Sequence, residues 1–448
     1  MMNKTNPYFS MKSRFLLTVI CLLGVLTGYA QPFHKIFDFS STEKKNHHIP
    51  ISGTIIYGQE GKTYGFDLNT EKNVLVKKEL GEQSLYSHKP FYFSVDVPEG
   101  NYTVTIHYKG ISDRDYYSTV RSESRRLHIE HIKVKRNKAV SQSFNVHIKD
   151  VRIDSTKSVR LKKPRENGKL DWDHKLTLEF QGENNIAAIE IEAIEDVTTV
   201  FLAGNSTVVN QENEPWASWG QMFPRFFDTN VVIANHAESG LTLGSFLYQN
   251  RLAKILSVAK PGDYLFIEFG HNDQKEKGEN AGAFKNYSER LRLFVKAFRE
   301  KDGIPVIVTS TERRHFNEEG ELQHTLGDYP KAAKAVAKEL DVPLIDLNAM
   351  TRAFYLALGV EGSKKALVHY PANTFPNQDQ PLQDNTHFNT YGAYEISKMV
   401  VQGVKDRKLP LSKHIIDFKK YNPHKPNSPS VWNWLPSVNN EVEKPDGN

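Results

Sequence analysis

The sequence predicts a two-part chain, an all-β sandwich (jelly-roll-like) over 31–196 followed by an α/β domain with a five-stranded parallel sheet over 197–411. Three observations carry this. Short runs that alternate apolar and polar residues fill the first part. From residue 197 nearly continuous apolar runs alternate with helical stripes. The length, 448 residues, exceeds one ordinary domain.

In the first part YGFDL, FYFSVDV, YTVTIHYKG, RLHIEHIKV, QSFNVHIKD, LTLEFQG and AAIEIEAI read as strands, punctuated by PEGN, ENG and GENN turns. In the second, VTTVFLA, NVVIANHA, DYLFIEFG, IPVIVTST and VPLIDL read as buried strands. Between them lie helices: Tyr287 to Arg299 carries one apolar stripe, PKAAKAVAKEL has Pro330 in its first turn, and a third helix follows Asn389. Beyond Leu411 the chain is rich in Pro, Asn and Lys, and 412–448 reads as an extended tail whose VWNWL tryptophans dock on the body.

The first 30 residues have the pattern of a signal peptide. Lys12 and Arg14 precede FLLTVICLLGVLTG, and Gly28-Tyr29-Ala30 supplies small residues for cleavage. The apolar run is shorter than the roughly 20 residues a membrane span needs. Export, to the periplasm or the medium, is therefore expected. Cys21 is the only cysteine and lies in this leader, so disulfides, thiol nucleophiles and thiolate metal sites are excluded from the mature chain. Loss of Lys4, Lys12 and Arg14 with no acid lowers the formal charge from +5 to about +2. Nothing in that balance calls for nucleic acid. Two basic runs, RLHIEHIKVKRNK and RLKKPRENGK, read as solvated strand edges.

Open parallel sheets bind ligands beyond the C-terminal ends of their strands. The residues there are Gly204-Asn205-Ser206-Thr207, Glu238-Ser239-Gly240 and Gly270-His271-Asn272-Asp273, with Asp384-Asn385-Thr386-His387 before the last helix. Singly each has a plain structural explanation: Ser206 or Thr207 can cap a helix, Gly240 can make a turn, Asn272 an Asx-turn and Asp384 a cap. Together they supply what acyl transfer needs. Ser206 is a hydroxyl nucleophile, His387 a base, and Asp384 three residues earlier orients its ring. The N–H of Ser206, the N–H of Gly240 and the Asn272 amide can face a developing oxyanion. His271 and Trp219 are candidates for substrate contact. Hydrogen-bonded support and helix packing are the structural alternatives for them, as packing is for Trp216. Ser239 does not satisfy GxSxG, Asp346 reads as a strand-end cap, and His315, His324 and His369 lack metal-ligand spacing.

These blocks resemble those of the SGNH (GDSL) hydrolases, and within them the rhamnogalacturonan acetylesterases. PWASWGQMFPRFF, TLGDYPKAAKAVA and DNTHFNTYGAYEISK add to the likeness, which covers about 198–410. The resemblance implies a flavodoxin-like three-layer fold and hydrolysis of acetyl esters on pectin without metal or other cofactor. It implies the roles given above for Ser206, Gly240, Asn272, Asp384 and His387. The chain departs from it twice, with Asn205 where the family usually has Asp, and with Leu241-Thr242-Leu243 where Arg-Ser often follows the glycine. Asn205 is expected to preserve the turn through its acceptor oxygen. The expected partner is an acetylated plant polysaccharide, most of all pectic rhamnogalacturonan. Acetylated xylan or another acylated glycan, and a glycan-binding protein without turnover, are the alternatives.

Overall fold

The seven runs expected as strands in the first part form strands in a computed structural model of the protein, which describes residues 33–41, 43, 46–79, 82–438 and 442–446. The leader expected over 1–30 lies outside them. Five further strands join the seven, to make two sheets. In one, His48–Pro50, His34–Asp38, Asn184–Ile194, Gly100–Tyr108 and Val140–Ile148 lie side by side, and the hairpin Leu75–Glu79/Glu82–Ser87 pairs with the start of Asn184–Ile194. In the other the order is Tyr64–Asp67, Phe91–Asp96, Lys175–Gly182, Tyr116–Ser122 and Arg126–Val134. All pairings are antiparallel except His34–Asp38 with His48–Pro50. Along Gly100–Tyr108 the residues Tyr102, Val104, Ile106 and Tyr108 are buried and those between are not, the period-two signature of a half-buried strand. They share one apolar core with Phe66, Phe91, Phe93 and Phe180 of the facing sheet. Of the two basic runs, Arg126–Val134 is an edge strand, but it is not solvated throughout as expected, since Arg126, Leu127, His128 and Ile129 are buried. RLKKPRENGK is not a strand; it lies in the connection between Val140–Ile148 and Lys175–Gly182.

The α/β part contains the five expected strands, here β1 (Thr198–Gly204), β2 (Val231–Asn235), β3 (Tyr264–Glu268), β4 (Ile304–Val308) and β5 (Leu344–Ile345). They pair in parallel in the order β2-β1-β3-β4-β5, the flavodoxin-like order. Its apolar residues serve both faces in alternation. Val200, Leu202 and Phe266 join a core with Trp219, Phe223 and Phe354, while Phe201, Ala203, Leu265 and Ile267 join another with Phe246, Phe294 and Phe298. Helices α1 (Arg251–Val258), α2 (Ser288–Arg299) and α3 (Tyr329–Glu339) cover the second face; α4 (Leu347–Gly362) and α5 (Thr390–Asp406) cover the first. This is a three-layer sandwich. A hairpin of β6 (Leu367–Tyr370) and β7 (Leu382–Phe388), not anticipated from the sequence, stands between α4 and α5.

The described residues from Phe33 onward form one compact unit. The two parts meet through buried polar groups rather than a linker. Asn145 donates to the carbonyls of Thr229 and Val231, Lys149 Nζ to the carbonyl of Asn235 at the end of β2, and Lys254 on α1 pairs with Glu99 at 2.6 Å. Arg251 on α1 pairs with Glu166, both almost wholly buried, and the Trp172 indole N–H donates to the same carboxylate. The tail tryptophans dock where the parts meet: Trp432 packs against Tyr394 with the rings tilted by 34°, and Trp434 donates to Glu214 with the Arg121 guanidinium 3.6 Å from its ring centroid. No helix among the described residues is long and apolar enough to cross a membrane.

Breaking a buried pair strands the surviving charge at a cost of about 3–5 kcal/mol. Glu166→Ala is therefore expected to lower the unfolding free energy by that amount in urea titration. The exposed control Glu361→Ala, which removes only the surface partner of Lys364, should leave the midpoint where it is.

Candidate active site

Ser206 lies in the turn that follows β1. The Asn205 carbonyl accepts from the N–H groups of Val208 and Val209, each at 3.0 Å, which tightens the turn into one helical loop. The Asn205 side-chain oxygen accepts from the Thr207 N–H at 3.2 Å and lies 3.0 Å from the Thr207 hydroxyl. That is the acceptor role expected of it. Its amide nitrogen, also buried, has no hydrogen-bond partner among the described residues. The Asn-Ser-Thr sequon is wholly buried in this turn, so it is no glycosylation acceptor.

Asp384 and His387 lie in β7, and a bulge in that strand makes the turn between them. Leu367 faces Phe388 and Val368 faces Asp384, so residues 385–387 bow out of the ladder. One oxygen of Asp384 compensates the lost pairing by accepting from the N–H groups of Thr386 and His387, at 2.9 and 3.0 Å. Its other oxygen is 2.7 Å from His387 Nδ1. His387 Nε2 is 2.8 Å from Ser206 Oγ, across 181 residues of chain. With the ring proton on Nδ1 donated to Asp384, Nε2 is left to accept the serine hydroxyl. Burial pushes the Asp384 carboxyl up, but His387 and the two backbone N–H groups outweigh it and hold the group well below the ordinary carboxylate range. Asp384 thus stays ionised beside the ring.

Gly240 follows β2 and Asn272 follows β3, the strands that flank β1 on either side. Gly240 has φ +78°, in the left-handed region that favours glycine. The Asn272 amide donates to the carbonyl of Leu241 at 3.2 Å, and Asp273 accepts from the N–H of Leu243 at 2.9 Å. These two bonds stitch the Gly240 loop to the turn after β3. An amide nitrogen carries two protons, so Asn272 keeps a second donor while the first fixes its orientation. Gly270, with φ +144°, lets the turn pass Ser310, whose Oγ would be 2.6 Å from any Cβ.

Sequence reasoning missed Glu268, the last residue of β3. It is buried and collects three neighbours: the Trp219 indole N–H at 2.5 Å, the Thr207 hydroxyl at 2.9 Å and the Thr311 N–H at 3.4 Å. Burial pushes its carboxyl up to about 7. An acid flanked by Ile267 and Phe269 at the end of the apolar run YLFIEF was the signal that could have found it.

Two expected substrate contacts need correction. Trp219 is fully buried in the core, and its indole N–H is given to Glu268, so it offers no face to a ligand. His271 is likewise buried, and burial holds its ring well below the ordinary histidine range, so it is a neutral wall near His387 rather than a surface contact. Trp216 is buried as well, with its indole N–H toward Asp384 at 3.4 Å. Asp346 caps α4 by accepting from the Ala349 N–H.

Glu268 binds its proton more tightly in the folded chain than in the unfolded one. Its contribution to stability is therefore complete below about pH 4.5 and is lost as the pH rises through about 7. Glu268→Gln mimics the protonated acid. Relative to the parent chain it should gain on the order of 3 kcal/mol in unfolding free energy between pH 5 and pH 8. For Asn205→Asp, which keeps the acceptor oxygen, the rate of ester hydrolysis is expected to stay within about tenfold, below 1.4 kcal/mol of barrier; steady-state kinetics decide it.

Residues 202–393 match the family model for the GDSL-like lipase/acylhydrolase family. The chain is 46% identical over 219 residues to the Bacillus subtilis rhamnogalacturonan acetylesterase RhgT, covering 48% of this chain and 94% of that protein. It is 32% identical over 220 residues to the probable rhamnogalacturonan acetylesterase YesY of the same organism, covering 48% and 97%. A crystal structure of B. subtilis YxiM is similar at 22% identity with a TM-score of 0.45, covering 84% of this chain and 99% of that one. The similarity to RhgT spans nearly that whole protein, and the residues matched by the family model include Ser206, Gly240, Asn272, Asp384 and His387. The chain belongs to the GDSL-like lipase/acylhydrolase family and is a carboxylic ester hydrolase.

Proposed function

We propose that the protein is an exported acetylesterase that removes acetyl groups from plant cell-wall polysaccharide, above all from pectic rhamnogalacturonan. The observation that carries this is the hydrogen-bonded chain from Ser206 Oγ through His387 to Asp384, beside Gly240 and Asn272. The names of the two B. subtilis relatives supply the substrate. The pattern of residues 1–30 supplies the export.

Ser206 Oγ attacks the acetyl carbonyl carbon while His387 Nε2 takes the hydroxyl proton. Asp384, ionised, steadies the imidazolium that forms. The carbonyl oxygen becomes an oxyanion, and the N–H groups of Ser206 and Gly240 with the free Asn272 N–H donate to it. His387 then returns the proton to the sugar oxygen, which leaves as an alcohol. Water, deprotonated by the same ring, attacks the acetyl-serine and releases acetate. Every proton in the cycle passes through His387 Nε2, and none of the steps asks for a metal.

Acetate release from acetylated rhamnogalacturonan and acetylated xylan, with p-nitrophenyl acetate as a small reference, tests the reading. Ser206→Ala should abolish release from all three, and Asn272→Ala should lower kcat by about 10²–10³. A preference for xylan would replace the substrate. Binding of pectin with no acetate released from any ester would replace the activity.

A further inference from the structure

The basic run RLKKPRENGK comes from the β-sandwich part but ends up against the candidate active site. Lys162 Nζ donates to the carbonyl of Ser239 at 2.9 Å, and it stands 2.8 Å from where a Cβ on Gly240 would be. A cation thus abuts the residue assigned to the oxyanion. The loop holding it is rigid. The Lys162 N–H donates to Glu166 at 2.7 Å, the Glu166 N–H returns to the Lys162 carbonyl, and Glu166 is itself clamped by Arg251 and Trp172. Arg165 is nearly buried, with Nε 3.4 Å from Glu238 and Nη1 donating to the carbonyl of Lys444 at 3.3 Å.

Two carboxylates of the chain's own tail converge on this pair. Asp446 lies 2.5 Å from Lys162 Nζ and 3.8 Å from Arg165; Glu443 lies 3.6 Å from Arg165 and accepts from the Asn213 amide at 3.4 Å. Burial alone would raise the Asp446 carboxyl, but Lys162 and Arg165 more than reverse that and hold it low, as a fixed cation pair does to any carboxylate it meets. Both acids are about half exposed. Ion pairs as exposed as these are weak and exchangeable. Lys162, by contrast, has no other carboxylate partner among the described residues, so moving the tail acid aside leaves its ammonium, held in place by the Ser239 carbonyl beside Gly240, without a counter-charge.

We infer that Lys162 and Arg165 form a subsite for the carboxylate of a uronic acid residue in the polysaccharide, and that Asp446 and Glu443 occupy it in the free enzyme. This rests on the acetylesterase reading above, and it gives the β-sandwich a part in choosing acidic over neutral glycans. A xylan chain without uronate substituents would bring no carboxylate to take the place of the tail acids.

The full chain is compared with Lys162→Gln, Lys162→Arg and the double variant Glu443→Gln/Asp446→Asn. Lys162→Gln should cut the ratio of kcat/KM for acetylated rhamnogalacturonan to that for acetylated neutral xylo-oligosaccharide at least tenfold, through KM. Lys162→Arg should restore most of it, and the double variant should lower KM for the acidic substrate severalfold. Non-acetylated trigalacturonate should inhibit p-nitrophenyl acetate hydrolysis by the parent chain, and at least tenfold more weakly with Lys162→Gln. An unchanged ratio, or equal or absent inhibition by trigalacturonate, overturns the subsite. Loss of inhibition in Lys162→Gln by an enzyme that releases nothing from rhamnogalacturonan keeps the subsite and overturns the substrate.

Discussion

A single buried acid at the end of the central strand holds the strand ends together. Glu268 takes a hydrogen bond from Trp219 behind the Ser206 turn, lies against Thr207 inside that turn, and reaches the backbone beyond β4 at Thr311. Three segments separated by scores of residues therefore share one carboxyl group. A turn that carries a reactive hydroxyl must not drift, since a small displacement from attack geometry costs rate steeply. Apolar packing resists separation of the layers but specifies position along the strand weakly. A buried hydrogen-bonded acid specifies it well, because every misplacement leaves a polar atom unpaired.

The same logic governs the join between the two parts. The buried pair of Arg251 with Glu166 and the bond from buried Lys254 to the more exposed Glu99 connect α1 to the β-sandwich, and Lys149 reaches the last residue of β2. Such contacts demand a unique docking geometry because their desolvation is repaid only when donors and acceptors meet. The loop containing Glu166 is the one that brings Lys162 to Gly240. The contact that fixes the two parts is thus also the contact that shapes one wall of the site.

Much of this was legible in the residues. The five buried strands of the parallel sheet were visible because a strand covered on both faces is apolar at nearly every position. Ser206, Gly240, Asn272, Asp384 and His387 stood out because each follows, or precedes, a recognisable element. Trp219 was misread for a clear reason: an aromatic beside a reactive turn looks the same in a sequence whether its indole faces a sugar or an internal acid. The hairpin of β6 and β7 was missed because its strands mix buried apolar residues (Leu367, Val368, Phe388) with buried polar ones (Asp384, His387) in no regular alternation, and its bulge is stabilised by one side chain rather than by a pattern. Only the direction of the RLKKPRENGK loop separates an anion site from a solvated edge.

By itself the sequence determined the order of elements, the parallel sheet and the identity of the residues at its strand ends, since these follow from local periodicity and from turns that need particular side chains. It determined the α/β core for the same reason. Tertiary structure decided everything that joins residues far apart: the meeting of Ser206 with His387, the burial that pushes the Glu268 carboxyl up to about 7, and the placing of Lys162 and Asp446 beside Gly240. Those depend on desolvation and on distances of a few ångströms between segments, and no local pattern encodes either.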